Sequence, residues 1–315
     1  MILKKFPEDF IVDEVFKREL SEGRYTIFKL KKTDYTTPGA ISEVAKQLKV
    51  QTKNISYAGL KDRRAITTQY ISVLNAPQNF KFEHPNIELE RIGTSKGPVS
   101  LGDLEGNNFK ITMREAENLK VKEKPAPNLF DEQRFSTQNH IIGRHLVKKE
   151  FKLAVDKILQ FDESKARHLI KVLDKNPNDY VNSLRQIQPK MLLLYVHAYQ
   201  SYLWNKTVEL YLKQNPNSKQ RQIPIIGFGV EIPGDLEPII SQVLEEEQLD
   251  FRSFIIRQIP DLSAEGTNRE LYIDYQNLKC EYLDKDVIYL EFFLPKGCYA
   301  TMLVKQLVEN GSSGI

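Results

Sequence analysis

The sequence predicts a domain of strands and helices that is interrupted by an inserted helical module. Strand-like segments concentrate towards both ends of the 315-residue chain, whereas residues 140–213 have mainly helical periodicity. A strongly strand-like segment then returns the chain to the pattern of its beginning. We predict residues 1–139 as the first part of the main domain and 140–275 as the insertion. Residues 276–309 close the main domain, and 310–315 have the composition of a disordered tail.

The first part of the main domain is predicted to contain several strands and one helix. Residues 9–16 and 25–32 have strand composition, and Thr37-Pro38 is a typical helix start. Apolar residues then follow at helical spacing: Ile41, Val44, Ala45 and Leu48. Gln69–Leu74 reads as another strand, so the charged residues between them are predicted to lie on a loop, where binding and catalytic groups are often found.

The remaining elements follow from the spacing of apolar residues. A strand is predicted near residues 108–113 and an acidic helix near 239–249. The best helix of the insertion has an apolar stripe: Leu192, Val196, Tyr199 and Leu203. The closing strand alternates apolar residues: Ile288, Leu290, Phe292 and Leu294. A final helix is predicted with one apolar side: Leu303, Val304, Leu307 and Val308.

Composition and charge exclude several classes of protein. Apolar residues make up 41% and charged residues 28% of the chain, an ordinary globular balance. The net charge is only +3, so a polyanionic partner must be bound by a local basic cluster. Two cysteines, Cys280 and Cys298, are too few for a disulfide framework, and no HExxH motif or other zinc-binding pattern occurs. No signal peptide or membrane span is evident, which predicts a cytoplasmic protein.

The densest polar segment is Ala58–Gln69, with the sequence AGLKDRRAITTQ. Its single carboxylate, Asp62, has three cationic neighbours: Lys61, Arg63 and Arg64. Cations favour the ionised form of an aspartate, which a nucleophile or a base needs, and they can also bind phosphate groups. On its own the KDRR sequence is equally compatible with a solvated surface turn.

Five segments, in order along the chain, together resemble the TruD family of tRNA pseudouridine synthases. They are KKFPEDFIVDE from Lys4, AGLKDRRAITTQ from Ala58, NLFDEQRF from Asn128, AYQSYLWN from Ala198 and LPKGCYAT from Leu294. The resemblance implies an α+β fold: a pseudouridine synthase catalytic domain with a mixed, largely antiparallel sheet, interrupted by a helix-rich TRUD domain. Asp131 and Ser136 stand where the family has glycine, and Cys298 stands where it has serine.

The resemblance also implies the reaction. A pseudouridine synthase breaks the glycosidic bond between uracil N1 and C1′, turns the base and rejoins it through C5. The bond exchange needs no cofactor and no metal. The expected partner is RNA, most of all tRNA, with uridine 13 as the first candidate target and position 35 of a tyrosine tRNA as the second. A monomer without a membrane association is expected.

Four residues match the family's catalytic positions. Asp62 is the expected nucleophile, or the base if no covalent adduct forms. Lys4 matches a lysine that pairs with this aspartate, and Asn128 matches an asparagine beside it. Phe130 matches a phenylalanine expected to stack on the target base.

Five basic residues are the candidates for binding RNA. They are Lys61, Arg63, Arg64, Arg134 and Arg269. A phosphate contact and a structural role are both open for the first four. Arg269 rests on a weaker match to a G-x-x-R element of the inserted domain.

Two other functions are compatible with parts of the sequence. An RNA-binding module without activity would keep the basic residues but would not need Asp62, Asn128 and Lys4 together. A glycoside hydrolase could use paired carboxylates such as Glu8 and Asp62. Its acid would need a raised pKa, whereas cations surround Asp62, so this alternative is disfavoured.

Overall fold

The computed structural model describes residues 1–135, 138–219 and 222–310 and shows an α+β protein. The chain divides into two compact units, one formed by residues 1–124 with the chain from Ile273 onward and one formed by Pro125–Tyr272. The domain boundaries predicted from the sequence, 1–139, 140–275 and 276–309, stay predictions. No helix within the described ranges is long and apolar enough to cross a membrane.

The strands and helices have the following bounds. In chain order, the strands are β1 (Phe10–Phe16), β2 (Tyr25–Thr33), β3 (Ile55–Tyr57), β4 (Ile66–Leu74), β5 (Ile87–Ser95), β6 (Leu104–Met113), β7 (Leu119–Val121), β8 (Gln222–Ile225), β9 (Thr267–Glu270), β10 (Gln276–Asp284), β11 (Val287–Pro295) and β12 (Val308–Asn310). The helices are α1 (Thr37–Gln47), α2 (Glu132–Phe135), α3 (Asn139–Val147), α4 (Phe151–Phe161), α5 (Glu163–Leu173), α6 (Tyr180–Leu184), α7 (Pro189–Gln214), α8 (Glu237–Glu247) and α9 (Ala300–Leu307).

The first unit is built on a mixed sheet with the strand order β10-β11-β6-β1-β4-β2-β5, and β3 pairs with β4. The pair β1 and β4 is parallel, with Ile11 opposite Ile66, and the other neighbours are antiparallel. Because these two strands are parallel neighbours, the segment before β1 and the loop before β4 meet at the same end of the sheet. These are the segments that carry Lys4 and Asp62.

Helix α1 covers one face of this sheet. Thr36 caps its first turn by accepting a hydrogen bond from the Gly39 amide at 3.1 Å, and Pro38 lies at its start. The apolar face of α1, including Ile41 and Val44, packs with Phe28 and Leu30 of β2 in one buried cluster. The helix therefore supports the strand that leads to the candidate site.

The second unit is organised around the 26-residue helix α7. Tyr199 and Trp204 of this helix are completely buried. Gly143 of α3 lies against the main chain of Tyr195, so closely that a Cβ atom there would collide with the Tyr195 carbonyl oxygen. The close approach of α3 and α7 therefore requires glycine at this position.

Most of the elements predicted from the sequence are confirmed, and two details are wrong. Val308 does not continue the last helix: α9 ends at Leu307, and Val308 pairs with Val121 in a two-stranded ladder. Asn310, placed in the predicted tail, is the last residue of β12, and the rest of that tail lies outside the described residues. Strands β5 and β10 were not predicted, because their apolar residues do not alternate.

Candidate active site

Asp62 lies on the loop between β3 and β4 and is paired with Lys4. The Lys4 Nζ atom donates a hydrogen bond to Asp62 Oδ1 at 2.9 Å, and the two side chains are 24% and 32% exposed. The same ammonium group lies 4.0 Å from the ring centre of Phe10. In the described parts of the chain, no residue donates a hydrogen bond to the second carboxylate oxygen, Oδ2. The arrangement holds an oriented, solvent-accessible carboxylate beside one fixed cation.

The N-terminal segment that carries Lys4 is fastened to Arg114, the residue that follows β6. Ile2 exchanges two main-chain hydrogen bonds with Arg114, at 2.8 and 2.9 Å. The buried carboxylate of Asp9 pairs with the Arg114 guanidinium at 2.8 Å and accepts a hydrogen bond from the Phe6 amide at 3.0 Å. The aspartate of the PEDF sequence therefore folds this segment, and the fold directs Lys4 towards Asp62.

Buried polar side chains hold the main chain of the Asp62 loop. Thr37 Oγ1 accepts a hydrogen bond from the Lys61 amide at 3.0 Å and donates one to Gln69 Oε1 at 3.1 Å. Gln69 Nε2 donates to the carbonyl oxygen of Gly59 at 3.2 Å. Because Thr37 and Gln69 are buried, these contacts fix the loop from the interior of the first unit.

Lys32 makes the nearest contact to Asp62 from the sheet. Its side chain is completely buried in β2, and its Nζ atom donates a hydrogen bond to the main-chain oxygen of Asp62 at 2.6 Å. Burial lowers the pKa of Lys32 from 10.5 to about 8; the charge of Asp62 opposes this change, and that of Lys61 adds to it. Lys32 was not among the site residues predicted from the sequence, because a lysine near the end of a strand is usually solvated.

Lys61 is held inside the first unit. Its Nζ atom lies 2.9 Å from Glu14 Oε2, and the two side chains are 8% and 0% exposed. The same ammonium group donates to Asn107 Oδ1 at 2.6 Å. Of the two roles predicted for Lys61, these contacts support the structural one. The ion pair also gives a structural role to Glu14, the last residue of the KKFPEDFIVDE segment, because Glu14 anchors the loop next to Asp62.

Arg63 and Arg64 are exposed on the same loop. Arg63 Nε lies 3.8 Å from Asp34 Oδ1, and its side chain is 71% exposed. Arg64 Nη2 donates to the main-chain oxygen of Lys5 at 2.6 Å. The contact of Arg63 is long and exposed and is therefore weak, whereas Arg64 helps to join the loop to the N-terminal segment.

Asn128 and Arg269 form a pair within the second unit. Asn128 is buried, and its amide donates to the Leu271 carbonyl at 2.7 Å. Arg269 donates twice to Asn128: Nε to the main-chain oxygen at 3.0 Å and Nη2 to Oδ1 at 2.7 Å. Arg269 thus orients the side-chain amide of Asn128 by binding its oxygen atom. Its predicted contact with RNA stays a prediction.

Phe130 is half-buried and fixed on several sides within the second unit. The side chain of Asn205 brackets its main chain, accepting from the Phe130 amide at 2.9 Å and donating to the Phe130 carbonyl at 3.0 Å. The Trp204 ring meets the Phe130 ring edge-on at 5.6 Å, and the Arg269 guanidinium lies 4.1 Å from its centre. The asparagine that ends the AYQSYLWN segment therefore positions Phe130, a role that the sequence did not reveal.

Asp131 directly precedes the short helix α2, and Arg134 belongs to it. Asp131, which stands where the family has glycine, is buried, and its Oδ1 accepts a hydrogen bond from the Gln133 amide at 3.0 Å. The substitution therefore supplies a cap for the helix. Arg134 Nε lies 3.4 Å from Ser201 Oγ. Ser136, the other departure in this segment, lies outside the described residues.

The predicted site residues fall into two groups, each within one unit. Lys4, Lys61, Asp62, Arg63 and Arg64 are close together in the first unit. The second unit brings together another group: Asn128, Phe130 and Arg269, with Arg134 on the neighbouring helix α2. Within the described ranges, no set of three His, Cys, Asp or Glu residues could hold a metal ion.

The chain is similar to known proteins over nearly its whole length. A family model described as tRNA pseudouridine synthase D (TruD) matches residues 1–167, 162–221 and 213–307. A probable tRNA pseudouridine synthase D of Nanoarchaeum equitans is 31% identical, with 98% of each chain covered. A probable tRNA pseudouridine synthase D 2 of Methanocaldococcus jannaschii is also 31% identical, covering 97% of this chain and 91% of the relative.

A solved structure gives the same result at the level of the fold. The crystal structure of a Methanosarcina mazei protein assigned to tRNA pseudouridine synthase D (TruD) superposes with a TM-score of 0.73 and 27% sequence identity, covering 97% of this chain and 92% of that one. The fold is therefore that of a pseudouridine synthase. The chain belongs to the tRNA pseudouridine synthase D (TruD) family, whose members are pseudouridine-forming isomerases.

Proposed function

We propose that this protein converts one specific uridine of tRNA into pseudouridine, with Asp62 as its catalytic residue. Uridine 13 is the first candidate target, and position 35 of a tyrosine tRNA is the second. The observation that carries the proposal is the pairing of Lys4 with Asp62 on a loop that buried side chains hold in place. Membership of the TruD family supports the reaction class.

The reaction is an isomerisation, and its atoms balance without a further reactant. The bond between N1 and C1′ breaks, a bond between C5 and C1′ forms, and the proton lost from C5 is replaced by one gained at N1. Asp62 acts on the ribosyl group as a nucleophile, or removes a proton as a base; both roles need an ionised, oriented carboxylate. Lys4 supplies a cationic partner for the carboxylate and restricts its rotation.

The target base must leave its stack before Asp62 can reach it, which costs a few kcal/mol. An aromatic ring and a side-chain amide are suitable partners for an extruded uracil, because the ring can stack on the base and the amide can bind its polar edge. Phe130 and Asn128 supply these groups in the second unit. We propose them as the base-binding pair, with Arg63 and Arg134 as contacts for phosphate groups.

The test is to map pseudouridine in tRNA treated with the purified protein. Total tRNA from a strain that lacks the gene is incubated with the wild-type protein, and in parallel with an Asp62→Asn variant. A new pseudouridine at position 13, present only with the wild-type protein, is the expected result. A new pseudouridine at position 35 of tyrosine tRNA would select the second target. A folded wild-type protein that forms no pseudouridine in any tRNA would overturn the proposal.

A further inference from the structure

Lys32 is unusual among the lysines of this protein because its ammonium group is completely buried. Within the described residues, Nζ makes one hydrogen bond, to the main-chain oxygen of Asp62 at 2.6 Å. The residue opposite Lys32 on β4 is Thr67, which is also completely buried, and Thr67 Oγ1 has no hydrogen-bond partner among those residues. No carboxylate of the described chain forms a salt bridge with Lys32.

An ammonium group in this environment is unfavourable for folding. Burial removes the hydration of the ammonium group, and one hydrogen bond to a carbonyl oxygen replaces only part of that hydration. The neighbouring Lys31 shows the ordinary alternative, since it lies on the other side of the strand and pairs at the surface with Glu88 at 2.9 Å. Packing alone would be satisfied by an apolar side chain at position 32. The contact with Asp62 therefore accounts for a charged side chain at this buried position.

Two lysines thus hold two different parts of Asp62. Lys4 binds the carboxylate at 2.9 Å, and Lys32 binds the main-chain oxygen at 2.6 Å. We propose that Lys32 is a positioning residue for the reaction: it fixes the main chain of the loop so that the carboxylate held by Lys4 stays in the reactive position. This inference rests on the proposed role of Asp62 and extends it to a residue that does not touch the substrate.

Small displacements of a reacting group have large effects on rate. A shift of about 1 Å can cost on the order of 100-fold. Removing the ammonium group frees the Asp62 carbonyl but leaves Thr37 and Gln69 to hold the preceding residues of the loop. We therefore expect Lys32→Met to lower kcat by about 10- to 100-fold, with little change in KM.

The charge of Lys32 also makes the site sensitive to pH. The charged groups that act on Lys32 are Asp62, which favours the ammonium form, and Lys61, which disfavours it. Lys4 and Glu14 act indirectly, because they pair with Asp62 and Lys61. Since its pKa is about 8, Lys32 loses its proton as the pH rises through this value. The neutral amine can still donate a hydrogen bond but no longer attracts the Asp62 carboxylate, so the wild-type rate should fall partly above about pH 8.

The experiment compares Lys32→Met, Lys32→Gln and the matched control Lys31→Met. Steady-state kcat and KM for tRNA are measured from pH 6.5 to 9.5, and the melting temperature of each sample is recorded. The expected results are a reduced kcat for both Lys32 variants, an unchanged KM and a melting temperature at or above that of the wild type. The fall in rate near pH 8 should be absent from Lys32→Met and present in Lys31→Met.

Three results would overturn the inference. The first is a wild-type kcat in Lys32→Met. The second is a reduced kcat with the wild-type fall near pH 8 still present, and the third is a loss of rate in both Lys32 variants that parallels a lower melting temperature. In each case a wild-type protein that forms pseudouridine leaves the proposed function standing. A wild-type protein that forms none would overturn both.

Discussion

Replacing Lys32 by methionine should stabilise the protein at neutral pH, although it removes a hydrogen bond. The pKa of Lys32 falls from 10.5 to about 8 on burial, and each tenfold change in an acid dissociation constant is worth about 1.4 kcal/mol. The buried charge therefore costs about 3 kcal/mol below pH 8. Loss of the hydrogen bond to the main-chain oxygen of Asp62 destabilises the variant by about 1 kcal/mol. The net gain expected for Lys32→Met at pH 7 is about 2 kcal/mol in the free energy of unfolding.

The sign of the pH dependence follows from proton binding. Between about pH 8 and 10.5 the unfolded chain keeps the Lys32 proton and the folded protein releases it, so the wild type gains stability from this residue as the pH rises. Lys32→Met lacks this gain. Its advantage over the wild type should therefore be largest at pH 7 and mostly lost by pH 9.5.

Urea denaturation of both proteins at pH 7 and pH 9.5 measures this difference. Titrating groups that do not interact with Lys32 affect both proteins equally, so the difference reports on Lys32 and its charged neighbours Asp62 and Lys61. The control Lys31→Met should differ from the wild type by less than about 0.5 kcal/mol at both pH values, since its ion pair with Glu88 is exposed. A Lys32→Met variant that is less stable than the wild type at pH 7, or a difference in stability that does not change with pH, would show that burial of the Lys32 charge does not destabilise the folded protein.

Three further changes test the surroundings of the site. Arg63→Ala should flatten the log–log dependence of tRNA affinity on salt by about 0.7, because its contact with Asp34 leaves it exposed; an unchanged slope would assign it no phosphate contact. Arg269→Met should lower the free energy of unfolding by about 3 kcal/mol in urea titrations, because Asn128 loses two charged donors; a loss below about 1 kcal/mol would contradict this. Phe130→Ala should slow the single-turnover reaction by raising its activation free energy by about 1–3 kcal/mol, whereas Phe130→Tyr should keep most of the wild-type rate. A normal rate in a Phe130→Ala variant that is less stable than the wild type would indicate that Phe130 is a core residue instead.

Local patterns predicted much of the fold. The alternation of apolar residues in β11 indicates a strand, and the capped, amphipathic start of α1 indicates a helix. Both were predictable because apolar spacing and capping are local properties of the sequence. Strand β5 was not predicted: its burial pattern is irregular, and pairing with β2 holds it in place. The end of α9 was misplaced because Val308 continues the apolar spacing of the helix but pairs with β7 instead.

The site could be predicted only where a residue belongs to a recognisable segment. Asp62 and Lys4 are 58 positions apart, and their pairing follows from the parallel pairing of β1 with β4, which no local pattern reveals. Lys32 and Asn205 were not assigned roles for a different reason. A lysine in a strand and an asparagine in a helix are both common at the surface, and their roles here depend on long-range contacts.

The catalytic role of Asp62 is tested most directly by the single-turnover rate of pseudouridine formation in Asp62→Asn and Asp62→Ala, with Asp34→Asn as the control. Asp34 is an exposed carboxylate of the same unit, so the control removes a similar charge away from the proposed chemistry. Both Asp62 variants should lose at least about 1,000-fold in rate while binding tRNA as tightly as the wild type or more tightly. The control should stay near the wild-type rate. Turnover by either Asp62 variant within tenfold of the wild type would show that Asp62 is not the catalytic residue.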